Sequence, residues 1–302
     1  MPTKELEQAD FEVPSTWRQY YELTKPGVVK LLVFTAVAGM LLATPGMVPV
    51  DILLFGTLGI ALASASAAAI NHVLDRRVDA QMARTQGRPL PMGHLGHRAA
   101  MTFAIVLGVV AILMLWTLVN PLTAVLTFGS LIGYAIVYTL YLKRATSQNI
   151  VIGGAAGAAP PLLGWVAVNN EVGAGALLLF LIVFLWTPPH FWALAIARKD
   201  EYAKVGIPML PVTHGVELTR RFILYYTILL VLISVMPYFI GMSGLFYLFG
   251  AVTLGGGFLY YALALRFTRR DDLPMKTFVY SISYLMALFA FLMVDHYLPT
   301  VA

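Results

Sequence analysis

The sequence predicts an all-α fold: a polytopic membrane helical bundle of nine transmembrane helices. Three observations carry that prediction. The 302 residues are 59% hydrophobic and only 12% charged, with a mean hydropathy of +0.79. Soluble domains hold about 45–50% apolar and about 25% charged residues. The apolar residues gather into runs near the roughly 20 needed to cross about 30 Å of hydrocarbon. The charges, finally, sort into alternate connections between those runs. Together these exclude a soluble globule and a disordered chain. Zero cysteines exclude a disulfide scaffold, thiolate nucleophiles and Cys-held zinc or iron–sulfur clusters.

A polar arm of mixed charge, residues 1–27, comes first. It lacks the basic-then-apolar order of a signal peptide, so it is expected to stay attached and cytoplasmic. Residues 28–302 form the single bundle domain, with spans expected near 28–48, 52–72, 99–119, 122–142, 150–168, 174–196, 222–241, 244–265 and 277–297. The fifth holds Pro160 and Pro161 and the small-residue stretch Gly153-Gly154-Ala155-Ala156-Gly157, which lets helix backbones approach closely. The sixth holds Pro188 and Pro189 and is expected to break or kink there; the seventh holds Pro237. Bundled membrane helices tolerate such residues because neighbours satisfy the freed backbone groups.

Nine spans place all 20 Lys and Arg on one side. They fall in the arm and its edge (Lys4, Arg18, Lys25, Lys30), then after spans two, four, six and eight. Of the 15 acids, only Asp51, Glu171 and Asp295 fall opposite. Eight or ten spans would spoil this sorting, so the expected orientation is N-terminus cytoplasmic and C-terminus external. The net charge of +5 is therefore a topology signal, and no nucleic-acid partner is expected. Two connections, about 73–98 and 197–221, exceed the usual 2–8 residues of helix–helix turns. Both lie on the basic side, where function is expected.

Three constellations carry chemistry. Asn71, Asp75 and Asp79 recur every four residues and share a face if span two continues as a helix past the membrane surface. Two carboxylates and an amide oxygen form a hard-oxygen array suited to Mg²⁺, which also takes substrate phosphates as ligands. Arg84 and Arg88 follow with forked donors that match phosphate oxygens. Residues alone leave a salt-bridged helix end as the rival reading. In the second, Lys143, Arg144, Thr146 and Asn149 crowd a very short turn, read either as a topology signal or as the far wall of an anion pocket. In the third, His190 follows the proline pair at membrane depth, and Arg198, Lys199, Asp200, Glu201, Tyr202 and Lys204 lead to Gly206-Ile-Pro-Met-Leu-Pro211. An ionisable residue at that depth is costly and so a functional candidate; a satisfied core histidine is the alternative.

With these segments in view, the chain resembles the UbiA superfamily of membrane-embedded aromatic prenyltransferases, and within it the heme-farnesylating branch. The matching segments are Asn71-x-x-x-Asp75-x-x-x-Asp79, Met82-x-Arg84-Thr85-x-x-Arg88-Pro89-Leu90-x-x-Gly93, Lys143-Arg144-x-Thr146-x-x-Asn149, Pro160-Pro161-x-x-Gly164-Trp165, Pro188-Pro189-His190-Phe191 and Asp200-Glu201-Tyr202 through Pro211. They run in order over residues 71–211. The first identifies only the superfamily; the Arg84–Pro89 run, the His190 segment and the Gly-Ile-Pro-Met-Leu-Pro ending point to the heme branch.

The resemblance implies farnesyl transfer from farnesyl diphosphate to a vinyl group of heme b, with water addition, giving heme O. It implies Mg²⁺ held by Asn71, Asp75 and Asp79, which with Arg84 and Arg88 form the catalytic set. It implies diphosphate bound by Arg84, Arg88, Lys143, Arg144, Asn149 and Lys204, and a heme-binding or second-loop set of His190, Asp200, Glu201 and Tyr202. Many superfamily members carry a second Asp-x-x-x-Asp after span six, but here the residue four past Asp200 is Lys204. That puts in question a second metal held wholly by this loop and makes Lys204 a candidate phosphate contact. The implied setting is the plasma (inner) membrane, with the product handed to a heme A synthase or to terminal-oxidase assembly. The alternatives are another UbiA-type enzyme acting on an aromatic or quinone-precursor acceptor, a transporter, and a non-catalytic assembly subunit.

Overall fold

The computed structural model describes residues 16–298; Lys4 and the first half of the arm lie outside the described residues. The described residues contain helices and turns and no strand. In chain order the helices are α1 (Thr16–Leu23), α2 (Pro26–Leu42), α3 (Val50–Asp79), α4 (His97–Leu118) and α5 (Pro121–Ile132), which runs on as a π-helix (Gly133–Leu142) into α6 (Lys143–Ala145). Then come α7 (Asn149–Asn169), α8 (Ala174–Ala197), α9 (Lys199–Lys204), α10 (Leu210–Thr213), α11 (Val216–Ser234), α12 (Met236–Phe239), α13 (Leu245–Phe267) and α14 (Leu273–Tyr297). Among the described residues eight helices are long and apolar enough to cross a membrane, and up to nine if α1 and α2, bent by 52°, are one span.

Local chemistry explains the boundaries. α2 opens on Pro26, whose missing N–H costs nothing at a first turn, and Lys25 before it takes the left-handed conformation, φ 50°. It ends at Leu42 rather than at 48, because Pro45-Gly46 and Pro49 follow and cannot continue a helix. The Asn120 side chain caps α5 by accepting the Thr123 N–H at 2.8 Å, and its amide donates to Val166 O and Ala167 O of α7. The 30 residues of α3 span about 45 Å, well beyond the hydrocarbon thickness. The helix continues without a break from the apolar run to Asp79.

Packing sorts the bundle into two joined halves. Trp186, Tyr247, Phe258, Tyr284 and Phe289 fill the space among α8, α11, α13 and α14. On the other side α2 crosses α7 with almost no side chain between them. A methyl group built on Gly39 would stand 2.0 Å from Pro161 O, and one on Gly164 would stand 1.9 Å from Ala36 O. Only hydrogen at both positions permits that approach. Large apolar residues such as Ile105, Leu113, Trp116, Phe128 and Phe249 are exposed, as lipid-facing positions are.

Two expectations are corrected and one feature is new. α8 is one helix from Ala174 to Ala197 with both prolines inside it, so there is no break at Pro188-Pro189. The flanking residues hold it: Thr187 donates to Val183 O at 2.9 Å, and Trp186 Nε1 donates to Ser281 O of α14 at 2.7 Å. The seventh span begins at Val216 rather than near 222 and runs to Phe239, with α11 giving way to α12 at Val235, just ahead of Pro237. The long connections thereby shrink to 80–96 and 198–215, the second built largely of α9 and α10. Finally, the second half of span four is π-helical, which nothing in its apolar run announces.

Candidate active site

The C-terminal end of α3 carries Asn71, Asp75 and Asp79, all at most 4% exposed. Like charges four residues apart on a helix repel unless each is neutralised, and here each has its own cation. Asp75 Oδ2 accepts Lys143 Nζ at 2.5 Å and Asn71 Nδ2 at 2.9 Å. Asp79 Oδ2 accepts Arg88 NH1 at 2.6 Å. Asn71 Oδ1 accepts Lys25 Nζ at 2.5 Å, and Asn71 Nδ2 also donates to Thr139 Oγ1 at 3.1 Å. The stripe thus meets cations from three separate segments of chain.

Each cation is placed by its own local structure. Thr85, 1% exposed, donates from its hydroxyl to Asp79 O at 2.9 Å. This clasps connection 80–96 back onto the end of α3 and aims Arg88 at the Asp79 carboxylate. Lys143 follows the π-helix, whose i→i+5 ladder brings residues five apart onto one face; Thr139 Oγ1 donates to Tyr134 O at 2.8 Å. Asn149, fully buried, donates from Nδ2 to Lys143 O at 3.3 Å. One of its two amide hydrogens is thereby used on the lysine's backbone, which helps to hold Lys143 in place, and the other enters no hydrogen bond among the described residues. Lys25 reaches Asn71 from its left-handed position at the head of α2.

Below this cluster an apolar cleft of about 680 Å³, including its open mouth, descends among α2, α3, α5, the π-helix and α7. Lys25 and Tyr134 line it, and Ala68, Ser64, Ala63 and Ile60 form its α3 wall. Ile60 lies eleven residues before Asn71, about 16 Å along the helix axis. A charged mouth over an apolar shaft is the shape that an amphiphile with an anionic head requires.

The remaining predicted residues form no hydrogen bond or ion pair with the stripe among the described residues, although Tyr202 packs in one cluster with Met82 and Val78 beside Asp79. Arg84, Arg144, Lys204 and Asp200 are exposed and enter none of the ion pairs among the described residues. Glu201 is paired with Arg198 at 2.8 Å. Tyr202 is 4% exposed, and burial pushes its phenol up, with the Arg84 guanidinium pulling the other way. His190 Nδ1 pairs with Ser281 Oγ at 2.6 Å, and its ring stacks between Trp186 and Phe278 with centroids at 4.2 and 4.6 Å. It is held by α14 and makes no contact with the aspartates. Sequence reasoning missed Lys25, which looked like a topology charge only, and Thr139, hidden in an apolar run.

The donor set fits magnesium shared with a diphosphate. Oδ1 of Asp75 and of Asp79 accepts no hydrogen bond among the described residues, so each carboxylate keeps an open oxygen. No group of three or more His, Asp or Glu that could hold a metal alone occurs among the described residues. Mg²⁺ binds through one or two carboxylates plus substrate phosphates and keeps some of its water, so this poverty of protein ligands suits it.

A family model described as the UbiA prenyltransferase family matches residues 32–292. The chain is similar to a protoheme IX farnesyltransferase of Nitrosococcus oceani, 58% identical over 285 residues covering 94% of this chain and 95% of that protein. One of Shewanella denitrificans is 60% identical over 283 residues, covering 94% of each. Among solved structures, a digeranylgeranylglyceryl phosphate synthase superposes with a TM-score of 0.79 at 18% identity, covering 93% of this chain and 98% of that one. A UbiA homolog from Archaeoglobus fulgidus, bound to DMAPP and Mg²⁺, gives 0.64 at 18% identity, covering 91% and 99%. The family match and the two relatives extend over nearly all of the chain, and the chain belongs to the UbiA prenyltransferase family.

Proposed function

We propose that the chain transfers the farnesyl group of farnesyl diphosphate to a vinyl group of heme b, with water addition, giving heme O. The observation that carries the prenyl-diphosphate half is Lys25, which lines the cleft and also donates to Asn71 at the head of the Asn71–Asp75–Asp79 stripe. The acceptor is supported by the relatives' name at 58–60% identity.

In this reading Lys143, Arg88 and Lys25 exchange their carboxylate and amide partners for phosphate oxygens, supported by Asn149 and, from the loops, by Arg84, Arg144 and Lys204. Asn71, Asp75 and Asp79 would hold Mg²⁺, which when bound would supply charge stabilisation on the leaving group. Asn71 is braced by Thr139, so the oxygen array keeps its orientation when Lys25 turns away. The allylic C–O bond breaks with its electron pair leaving on pyrophosphate. The farnesyl cation adds to the vinyl carbon, and water captures the resulting cation and loses a proton. The cleft walls hold the tail, keep stray water off the cation, and aim the reacting carbon at the acceptor. Burial of fifteen carbons contributes up to roughly 10 kcal/mol toward binding. His190, Asp200, Glu201 and Tyr202 form the heme-binding or second-loop set. The proposed setting is the plasma membrane with the N-terminus cytoplasmic and the C-terminus external, and the product passing to a heme A synthase or to oxidase assembly.

Purified protein given heme b, farnesyl diphosphate and Mg²⁺ is expected to yield farnesylated, hydrated heme by mass. Turnover of a phenolic acceptor with no heme product would instead favour another UbiA-type activity. A second prediction concerns the shaft. Ala63→Phe narrows it about 12 Å below Asn71, so kcat/KM for farnesyl diphosphate should fall at least about tenfold further than for geranyl diphosphate, a difference of about 1.4 kcal/mol. Equal losses on both substrates would mean that the tail lies elsewhere.

A further inference from the structure

A second charged cluster lies away from the aspartate stripe, where α11 begins and α13 ends. Glu217 is approached by three guanidinium groups: Arg220 at 3.3 Å, Arg266 at 3.4 Å and Arg269 at 3.9 Å. One carboxylate cannot neutralise three cations, so the cluster carries two uncompensated positive charges. Arg220 is almost enclosed, its side chain 11% exposed, and its Nε is buried with no partner. A buried N–H without an acceptor is costly, so some acceptor is expected there. In the neighbouring turn Asp272 pairs with both Arg270 and Lys276, each at 2.7 Å, and Asp271 beside it balances the charge there.

Directly alongside, two packed helices leave apolar stripes uncovered. Tyr225, Leu229 and Leu232 follow one another on α11 at helical spacing, and Tyr260, Leu263 and Phe267 do so on α13. All six are exposed, Phe267 most of all at 73%. The Arg266 guanidinium sits over the Phe267 ring, 5.3 Å from its centroid, so aromatic surface and cation meet at one point. Arg220 opens the span formed by α11, and Arg266 and Phe267 close the one formed by α13. The cluster thus lies at headgroup depth with the stripes running into the acyl region.

We propose that this rim is a binding site for an anionic phospholipid, its phosphate seated among Arg220, Arg266 and Arg269 and its acyl chains along the two stripes. Guanidinium forks match phosphate oxygens in paired geometry, and the charge excess selects against zwitterionic headgroups, which bring no net negative charge. Basic pockets between helix ends are where acidic lipids settle on membrane proteins. An acyl chain on the stripes distinguishes this occupant from free phosphate, which would use the arginines alone.

Native mass spectrometry of the detergent-purified full chain, titrated with phosphatidylglycerol, cardiolipin and phosphatidylcholine, tests it. The wild type should retain the two acidic lipids at least about fivefold better than phosphatidylcholine. The double variant Arg266→Gln/Arg269→Gln should lose that preference, whereas Glu217→Gln, which removes the competing carboxylate, should strengthen it. Opposite shifts from two surface variants cannot both come from misfolding. Inorganic pyrophosphate in excess should leave the acidic lipid bound. The proposal is overturned if wild type shows no headgroup preference, if the two variants shift retention in the same direction, or if pyrophosphate displaces the lipid.

Discussion

Asp75→Ala is expected to lower farnesyl transfer by at least about 10²–10³-fold, the loss typical of removing one group that stabilises developing charge. The protein should still insert, because its spans do not depend on this side chain. Asp75 is the most connected member of the stripe, taking Lys143 and Asn71 on one oxygen and leaving the other open. Its removal subtracts one of two carboxylates from the proposed metal site and strands Lys143, whose side chain is 15% exposed. Asp75→Asn separates these effects: it keeps a carbonyl oxygen for both donors but not the charge. Activity is expected to fall nearly as far in Asp75→Asn as in the alanine variant, with less loss of thermal stability. An active Asp75→Asn would detach the carboxylate charge from the chemistry. Activity and unfolding midpoint, measured together in detergent, check both statements.

Gly164→Ala is expected to be the most damaging small substitution in the fold. Its added carbon would fall 1.9 Å from Ala36 O and 2.8 Å from Ala36 C, so a main chain rather than a mobile side chain must yield. Overpacking costs about 1–3 kcal/mol where side chains can adjust, and here both neighbours are backbone. Separation of α2 from α7 would also open the cleft, since Val28, Val29 and Leu32 of α2 and Pro160 and Leu163 of α7 are its walls. It would draw Lys25 off Asn71 as well. Stability and farnesyl turnover should therefore fall together. Gly129→Ala supplies the contrast, because a Cβ there meets nothing within 4 Å; in an open helical position the exchange gains up to about 1 kcal/mol. An unfolding midpoint that drops for Gly164→Ala and holds or rises for Gly129→Ala bears this out, and equal shifts refute it.

Much of this architecture could be read before any coordinates. The overrun of span two was legible because polar residues at spacing four interrupt an otherwise apolar helix, and α3 does continue to Asp79. The pairing of that stripe with residues of two later segments was legible only in kind. Arg88 and Lys143 were candidates for an anion, yet their present partners are the aspartates themselves. Other features depend on tertiary contacts that no local pattern encodes. The π-helix at Gly133–Leu142 sits in an apolar run as compatible with α-helix. The Pro188-Pro189 pair breaks isolated helices, but Trp186 and His190 tie that stretch to α14 on either side of it. Lys25 stands just before the first span, where a lysine ordinarily signals orientation alone. Its reach to Asn71 follows from a left-handed backbone that composition does not reveal.

The central claim is that the α3 stripe and its cations grip a diphosphate at the head of the apolar cleft. A cryo-EM map of the full chain with Mg²⁺ and a non-hydrolysable farnesyl diphosphate analogue tests it most directly. The account predicts head-group density between Asp75 and Asp79 on one side and Arg88 and Lys143 on the other, with the tail running past Tyr134 toward Ile60. Head-group density at a different end of the bundle, with the lysine and arginine still bonded to their aspartates, would contradict it.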